Sequence, residues 1–250
     1  MALIAQITDL HLRDDGADPA HDPAQALRQA FAQIAAMDMR PDAIVLTGDV
    51  IDRTAGGYDQ ALALLREAPV PLIPMPGNHD PAPAFRAAFA DWVDFAPDHL
   101  SFTQKIGTLN LIALDSTLPD GTAGVDDARL QWVESALAAA SWPTLLAMHH
   151  PPFPTAVPHL DKTGFVGASE LSNMIAKSAV CRVIAGHTHR AMQTIWAGCL
   201  ASTAPAIGHG LTLSLTGRTP SRPAKTTPSF ELHVITPKVM ASHLVEVSLP

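Results

Sequence analysis

Apolar runs that stop abruptly at Asp, Asn or His recur along this chain and constrain its fold more than any other feature. Ala2–Ile7 is followed by Asp9 and His11, and Asp42–Thr47 by Asp49 and Asp52. Val70–Pro74 precedes Asn78, His79 and Asp80, Thr144–Met148 precedes His149 and His150, and Val180–Ala185 precedes His187 and His189. Leu109–Leu114 is a further run, ending at Asp115. Short aliphatic runs bounded by Gly and Pro read as strands. Between them, Pro23–Met37, Tyr58–Glu67, Asp126–Ala139 and Ala168–Ala176 read as helices, with Asp126 or Asp127 placed to cap the third. Such alternation predicts an α/β fold built on parallel strands. Beyond residue 190 the segments 191–197, 199–203, 211–216, 229–236 and 239–247 are short and β-like, which predicts added antiparallel strands.

The 250 residues fit one large domain spanning 1–250, and 47% hydrophobic with 16% charged residues suits a packed core. A formal charge of -8 with only 16 Lys and Arg argues against an extended nucleic-acid surface. No run of about 18 apolar residues is present, so no membrane span is expected and a soluble cytoplasmic protein is the default. Cys181 and Cys199 are too few for a disulfide framework and do not form a close metal-binding pair. Gly217–Pro228, with three prolines, reads as a surface loop.

Each donor group lies just past an apolar run, at the carboxyl end of an expected strand. In open parallel sheets those ends converge on a shared crevice. In extended backbone, residues two apart project to one side, so Asp9 with His11 and His187 with His189 can each face one centre. Gly48, Gly77 and Gly186 each immediately precede a donor and permit close backbone approach. Imidazole, carboxylate and amide donors without thiolate suit zinc, iron, cobalt or manganese. The donors outnumber the needs of one tetrahedral ion. Two ions sharing a carboxylate would use them and would give an acidic protein a local positive centre for phosphate.

The blocks Asp9-Leu10-His11, Gly48-Asp49-Val50-Ile51-Asp52-Arg53, Gly77-Asn78-His79-Asp80, His149-His150 and Gly186-His187-Thr188-His189 resemble, in order, the calcineurin-like metallophosphoesterase superfamily. The Gly-Asn-His-Asp form and the His-His-Pro-Pro run at 149–152 are most similar to bacterial class III cyclic nucleotide phosphodiesterases and glycerophosphodiesterases. The resemblance implies a four-layer α/β/β/α sandwich of two mixed sheets flanked by helices, with 191–250 completing the second sheet. It also implies two divalent or mixed-valence ions. Asp9, His11 and His189 would hold one, Asn78, His149 and His187 the other, and Asp49 would bridge them. His79 would donate to a phosphoryl oxygen and assist the leaving group, while Asp52 and Asp80 would orient imidazoles.

The implied reaction is hydrolysis of a small phosphodiester, of 3',5'-cyclic nucleotide or glycerophosphodiester type, by in-line attack of a metal-bridging hydroxide. A phosphomonoesterase, a metal-dependent nuclease or a non-catalytic metal-stabilised binding protein remain alternatives. His150 neighbours a ligand and reads as a hydrogen-bonding or substrate-side group. His159, His209, His233 and His243 read as ordinary surface or core residues, with His209 a minor candidate because Gly208 and Gly210 flank it. Tyr58 is expected on a helix away from the cleft. Candidate substrate walls are Arg13–Asp22, Pro151–Gly167 and Pro205–Gly210, with Phe153 or Phe165 available for stacking. Oligomeric state is left as monomer or homodimer.

Overall fold

A computed structural model describes residues 1–13, 22–53 and 57–249. Most of the first wall candidate, residues 14–21, lies outside them. The first half runs β1 (Ala2–Ile7), α1 (Pro23–Ala36), β2 (Ala43–Thr47), α2 (Asp59–Leu65), β3 (Leu72–Met75), α3 (Ala82–Phe89), β4 (Phe102–Ile106) and β5 (Leu109–Leu114). It continues with α4 (Asp127–Ala139), β6 (Thr144–Met148), α5 (Pro158–Asp161), α6 (Ala168–Ile175) and β7 (Val180–Ala185). The last part is β: β8 (Met192–Trp196), β9 (Cys199–Thr203), β10 (Gly210–Leu211), β11 (Pro223–Ala224), β12 (Ser229–Ile235) and β13 (Met240–Glu246).

Two mixed sheets form. One has the order β13-β12-β1-β2-β3, the other β4-β5-β6-β7-β9-β8. β1, β2 and β3 are parallel, as are β5, β6, β7 and β9. Every residue of β1, β2, β6 and β7 is buried, which is why these strands read as continuous apolar runs. Alternation divides each between two cores. Ile4 and Val45 face the other sheet, whereas Ala5, Ile7, Ile44 and Leu46 face α1, α2 and α3. On the second sheet, Leu111 and Leu145 face inward, and Ile112 and Leu146 pack with Val133 of α4 and Leu171 of α6. The result is the expected four-layer sandwich.

Helix α1 shows the local code. Asp22 accepts from Gln25 N at 2.9 Å, Pro23 occupies the first turn, and Leu27, Phe31 and Ile34 return to the buried face at helical spacing. Asp126 caps α4 through Arg129 N, as anticipated.

Three features differ from expectation. β4 pairs antiparallel with β5 at a sheet edge; its three central residues are polar, so it lacks the apolar run of the inner strands. The strands after residue 190 divide between the sheets instead of completing one: β8 and β9 join β7, while β12 and β13 join β1. The segment 211–216 pairs only at its start, because Gly210–Leu211 meet Pro223–Ala224 in a two-stranded arm and Leu213 and Leu215 stay exposed.

A polar row crosses the apolar layer between the sheets. Gln6 donates to Thr47 Oγ1 and to the Ala185 carbonyl, and its Oε1 lies 3.0 Å from His233 Nε2. His233 Nδ1 contacts Ser242, and the fully buried Arg182 donates to Ser242 and Ser202. Glu231 lies 4.0 Å from Arg182 and accepts from Ser202. Burial pushes the Glu231 carboxyl from 4.5 up to about 7, against the opposing pull of Arg182 and Ser202. Because the folded value is raised, this contribution to stability is complete below the unfolded value of 4.5 and is lost as pH rises through 7. The loss is about 3 kcal/mol. Glu231→Gln is expected to flatten urea-denaturation stability between pH 5 and 8 relative to the wild type; parallel curves would contradict it.

Candidate metal centre

Five strand ends deliver the donors. After β1, β2 and β7 the chain turns sharply at the donor residues themselves: Asp9, His11, Asp49, His187 and His189 all have positive φ, between 48° and 69°. Only two other described non-glycine residues, Ala156 and Ala197, share that conformation. Left-handed backbone in residues carrying a Cβ is strained and concentrates at functional sites. Gly77 answers a packing need, since a Cβ there would run into the Asp49 carboxylate.

Asp9, His11, Asp49 and His189 each place a ligand atom within 4.8 Å of the others, and His149, His150 and His187 form a second such group. Asn78 joins the second, its Oδ1 lying 3.1 Å from His149 Nε2. Asp49 Oδ2 sits 3.6 Å from His11 Nε2 and 3.3 Å from His149 Nε2, so one carboxylate oxygen faces both groups. The seven ligand candidates from the sequence therefore meet in one place.

Imidazole orientation follows from the partners. His149 Nδ1 lies 2.9 Å from the Thr47 carbonyl and His189 Nδ1 2.6 Å from the His209 carbonyl. Carbonyls only accept, so each Nδ1 donates, and in the neutral form that binds metal Nε2 carries the lone pair. Those lone pairs point at other acceptors: His149 at Asp49 and Asn78, His189 at Asp9 Oδ1, 3.4 Å away. Asp9 Oδ1 is buried without a hydrogen-bond partner among the described residues, although Oδ2 accepts from Thr8 and from His187 N. Among the described residues no Lys or Arg pairs with Asp9 or Asp49. Ligand atoms around one divalent ion at ordinary bond lengths lie about 3–3.5 Å apart. The spacings of 3.1 Å for His11–His189, 3.4 Å for Asp9–His189 and 3.1 Å for His149–Asn78 fit that requirement.

The protonation equilibria express the same crowding. Burial drives His11 down to about 2 and His187 to about 3, keeping both neutral, and pushes the Asp9 carboxyl up. Burial also opposes charge on Asp49 and His149. Their mutual attraction outweighs it, holding Asp49 well below the usual carboxylate range and His149 at about 9. Without a metal, a proton on His149 does the cation's work.

Around this centre several assignments change. Asp52 meets the expected role, with its Oδ1 3.3 Å from His79 Nδ1. Asp80 does not orient an imidazole; it accepts from Val50 N, Ile51 N, Gly77 N and the Tyr58 hydroxyl, and so ties together the turns that carry Asp49 and Asn78. Tyr58 is thus linked to the site through Asp80, though it does not face the cleft. His79 donates its backbone N–H to Asp49 Oδ1 at 2.8 Å and packs its ring edge-on to His11. His150 is buried against Ser116, 3.0 Å from Nδ1, with its ring beside His187. His209 brings its ring to 5.2 Å from His11 and 4.7 Å from His189, so it belongs to the site's edge. Its flanking glycines were the only sequence signal. His233 is a core residue, and His159 and His243 are exposed.

A two-sheet sandwich whose strand ends collect Asp, Asn and His donors defines the class, and residues 2–191 match the calcineurin-like phosphoesterases. The chain belongs to that family and is a hydrolase of phosphate esters, with side-chain clusters able to bind metal. Among relatives, the Arcobacter nitrofigilis protein named "Probable glycerophosphodiester phosphodiesterase GpdQ" is 28% identical over 92% of this chain and 88% of its own length. The 3',5'-cyclic adenosine monophosphate phosphodiesterase CpdA of Escherichia coli K12 is 30% identical over 78% of this chain and 72% of its own. A dimetal phosphatase from Danio rerio shares the fold, with a TM-score of 0.67 at 16% identity over 99% of both chains. Among the described residues no helix is long and apolar enough to cross a membrane.

Asp49→Ala is expected to lower the metal retained per chain, measured by elemental analysis after manganese loading and desalting. Two ions retained per chain would rule out a shared ligand at this position.

Proposed function

We propose that this protein is a dinuclear metal-dependent phosphodiesterase acting on small phosphodiesters of 3',5'-cyclic nucleotide or glycerophosphodiester type. Asp9, His11 and His189 hold one ion, Asn78, His149 and His187 the other, and Asp49 is shared. The observation that carries this reading is the single Asp49 oxygen facing both His11 and His149. Manganese, iron, zinc and cobalt all suit these nitrogen and oxygen donors. When bound, the two ions supply a hydroxide nucleophile near neutral pH and neutralise charge on the phosphoryl oxygens.

The remaining work falls to the chain. The Thr47 and His209 carbonyls fix two imidazole tautomers and aim their Nε2 atoms inward. His79, steadied by Asp52 and by its own N–H on Asp49, gives its Nδ1–H to Asp52 and, when it carries a second proton on Nε2, donates that proton to a phosphoryl or leaving-group oxygen. An alkoxide leaving group needs that proton, whereas a nitrophenolate leaves with little help. The names of the GpdQ and CpdA relatives support a diester substrate. Basic residues near the centre are engaged locally, Arg53 with the Asn78 carbonyl and Arg190 with the Leu211 carbonyl, which favours a small substrate over a polynucleotide.

Hydrolysis of bis(4-nitrophenyl) phosphate should vanish on chelation and return with manganese. No turnover under any metal loading would refute the reading. His79→Ala is expected to slow an alkyl-leaving diester by about 10²–10⁴-fold and the nitrophenyl diester far less. Equal losses on both would remove His79 as the proton donor.

A further inference from the structure

A cavity of about 190 Å³ opens beside the second donor group, with His150 and His187 in its wall. Its sides come from Pro152 and Phe153, which follow β6, and from Leu160 and Phe165 farther along. Among the described residues no Lys or Arg lines it, and apart from the histidines the one ionisable side chain in its lining is Asp161. Asp161 is held in place, because its Oδ1 accepts both the backbone N–H and the hydroxyl of Thr155 at 2.8 Å. The carboxyl group is therefore fixed in position at the cavity wall.

Size and charge together select an occupant. Pockets that take a whole drug-sized ligand measure about 300–1,000 Å³, so this one suits a single substituent of a phosphate ester. Prolines and phenylalanines reward an apolar group that leaves water. A second anionic group would meet Asp161 with no Lys or Arg in the described lining to offset the repulsion or its own desolvation. A larger groove of about 580 Å³ touches Gly77 and Asp80, but none of the seven candidate ligands lines it. It does not open onto the donor cluster.

Resting on the phosphodiesterase reading, we propose that this cavity is the subsite for one ester arm and selects compact, apolar arms that carry no negative charge. Phenyl-sized groups enter it; arms bearing a carboxylate or a further phosphate are rejected. His187 joins the subsite to the centre, since it lines the cavity and stands in the second donor group.

Calorimetric titration of the manganese-loaded protein with phenylphosphonate, methylphosphonate and 4-carboxyphenylphosphonate tests this with one arm per ligand. Phenylphosphonate is expected to bind about tenfold or more tighter than methylphosphonate, and the carboxylated ligand to lose most of that gain. Thr163 lines the cavity yet is exposed, so Thr163→Trp fills it without disturbing the core and should collapse the phenyl-to-methyl ratio towards one. Phe165→Ala should lower the same ratio by removing a wall. Asp161→Asn keeps the oxygen that Thr155 requires and should bring the carboxylated ligand closer to phenylphosphonate. Equal affinities for phenyl and methyl ligands, in a protein that hydrolyses diesters, would overturn the subsite and leave the activity standing. A phenyl preference abolished by Thr163→Trp, in a protein that hydrolyses none, would keep the subsite and discard the diesterase.

Discussion

Buried acceptors facing one another, with no Lys or Arg among the described residues to pair with them, are the constraint on which the rest of this structure depends. Among the described residues Asp9 Oδ1 has no hydrogen-bond partner, and in the neutral imidazoles the Nε2 lone pairs of His149 and His189 point at carboxylate or amide oxygens. In a low-dielectric interior such an arrangement is unfavourable until positive charge is supplied. Deprotonated carboxylates and neutral imidazoles are also the forms that bind metal, so ion binding and ordering of the centre are thermodynamically one event. The acidic whole-protein charge then poses no obstacle to an anionic substrate. The positive charge arrives with the ions.

The sandwich makes this crowding tolerable by rigidity. The parallel strands β1, β2, β3, β6 and β7 are buried at their site ends, and each passes directly into a donor-bearing turn. The polar row between the sheets reaches the same place, since Thr47 receives Gln6 at its hydroxyl and His149 at its carbonyl. An interlayer contact and a metal-facing imidazole thus share one residue. Asp80 performs the matching task on the other side by binding four donors from two turns and from Tyr58.

What could be read from the sequence was whatever leaves a side-chain pattern. Strands buried on both faces show as aliphatic runs, and donors at their ends show as Asp, Asn and His beside glycine. β4 escaped because an edge strand carries polar residues along most of its length. The partners that orient His149 and His189 are main-chain carbonyls, which every residue possesses, so no residue type marks them. For Asp80 the family resemblance implies an imidazole partner. In space its carboxylate turns to amides that only the folded loops bring near. His209 sits some twenty residues from His189 and approaches it through a turn whose path composition does not specify.

Five of the seven candidate ligands occupy left-handed backbone, and glycine would relax every one of those positions. Each such replacement also deletes a donor. The chain therefore carries a standing conflict between folding comfort and occupancy of its centre. Selection for thermal tolerance alone, with no demand on turnover, would drift towards glycine at Asp9, His11, Asp49, His187 and His189, and would yield a sturdier molecule that has forgotten its chemistry.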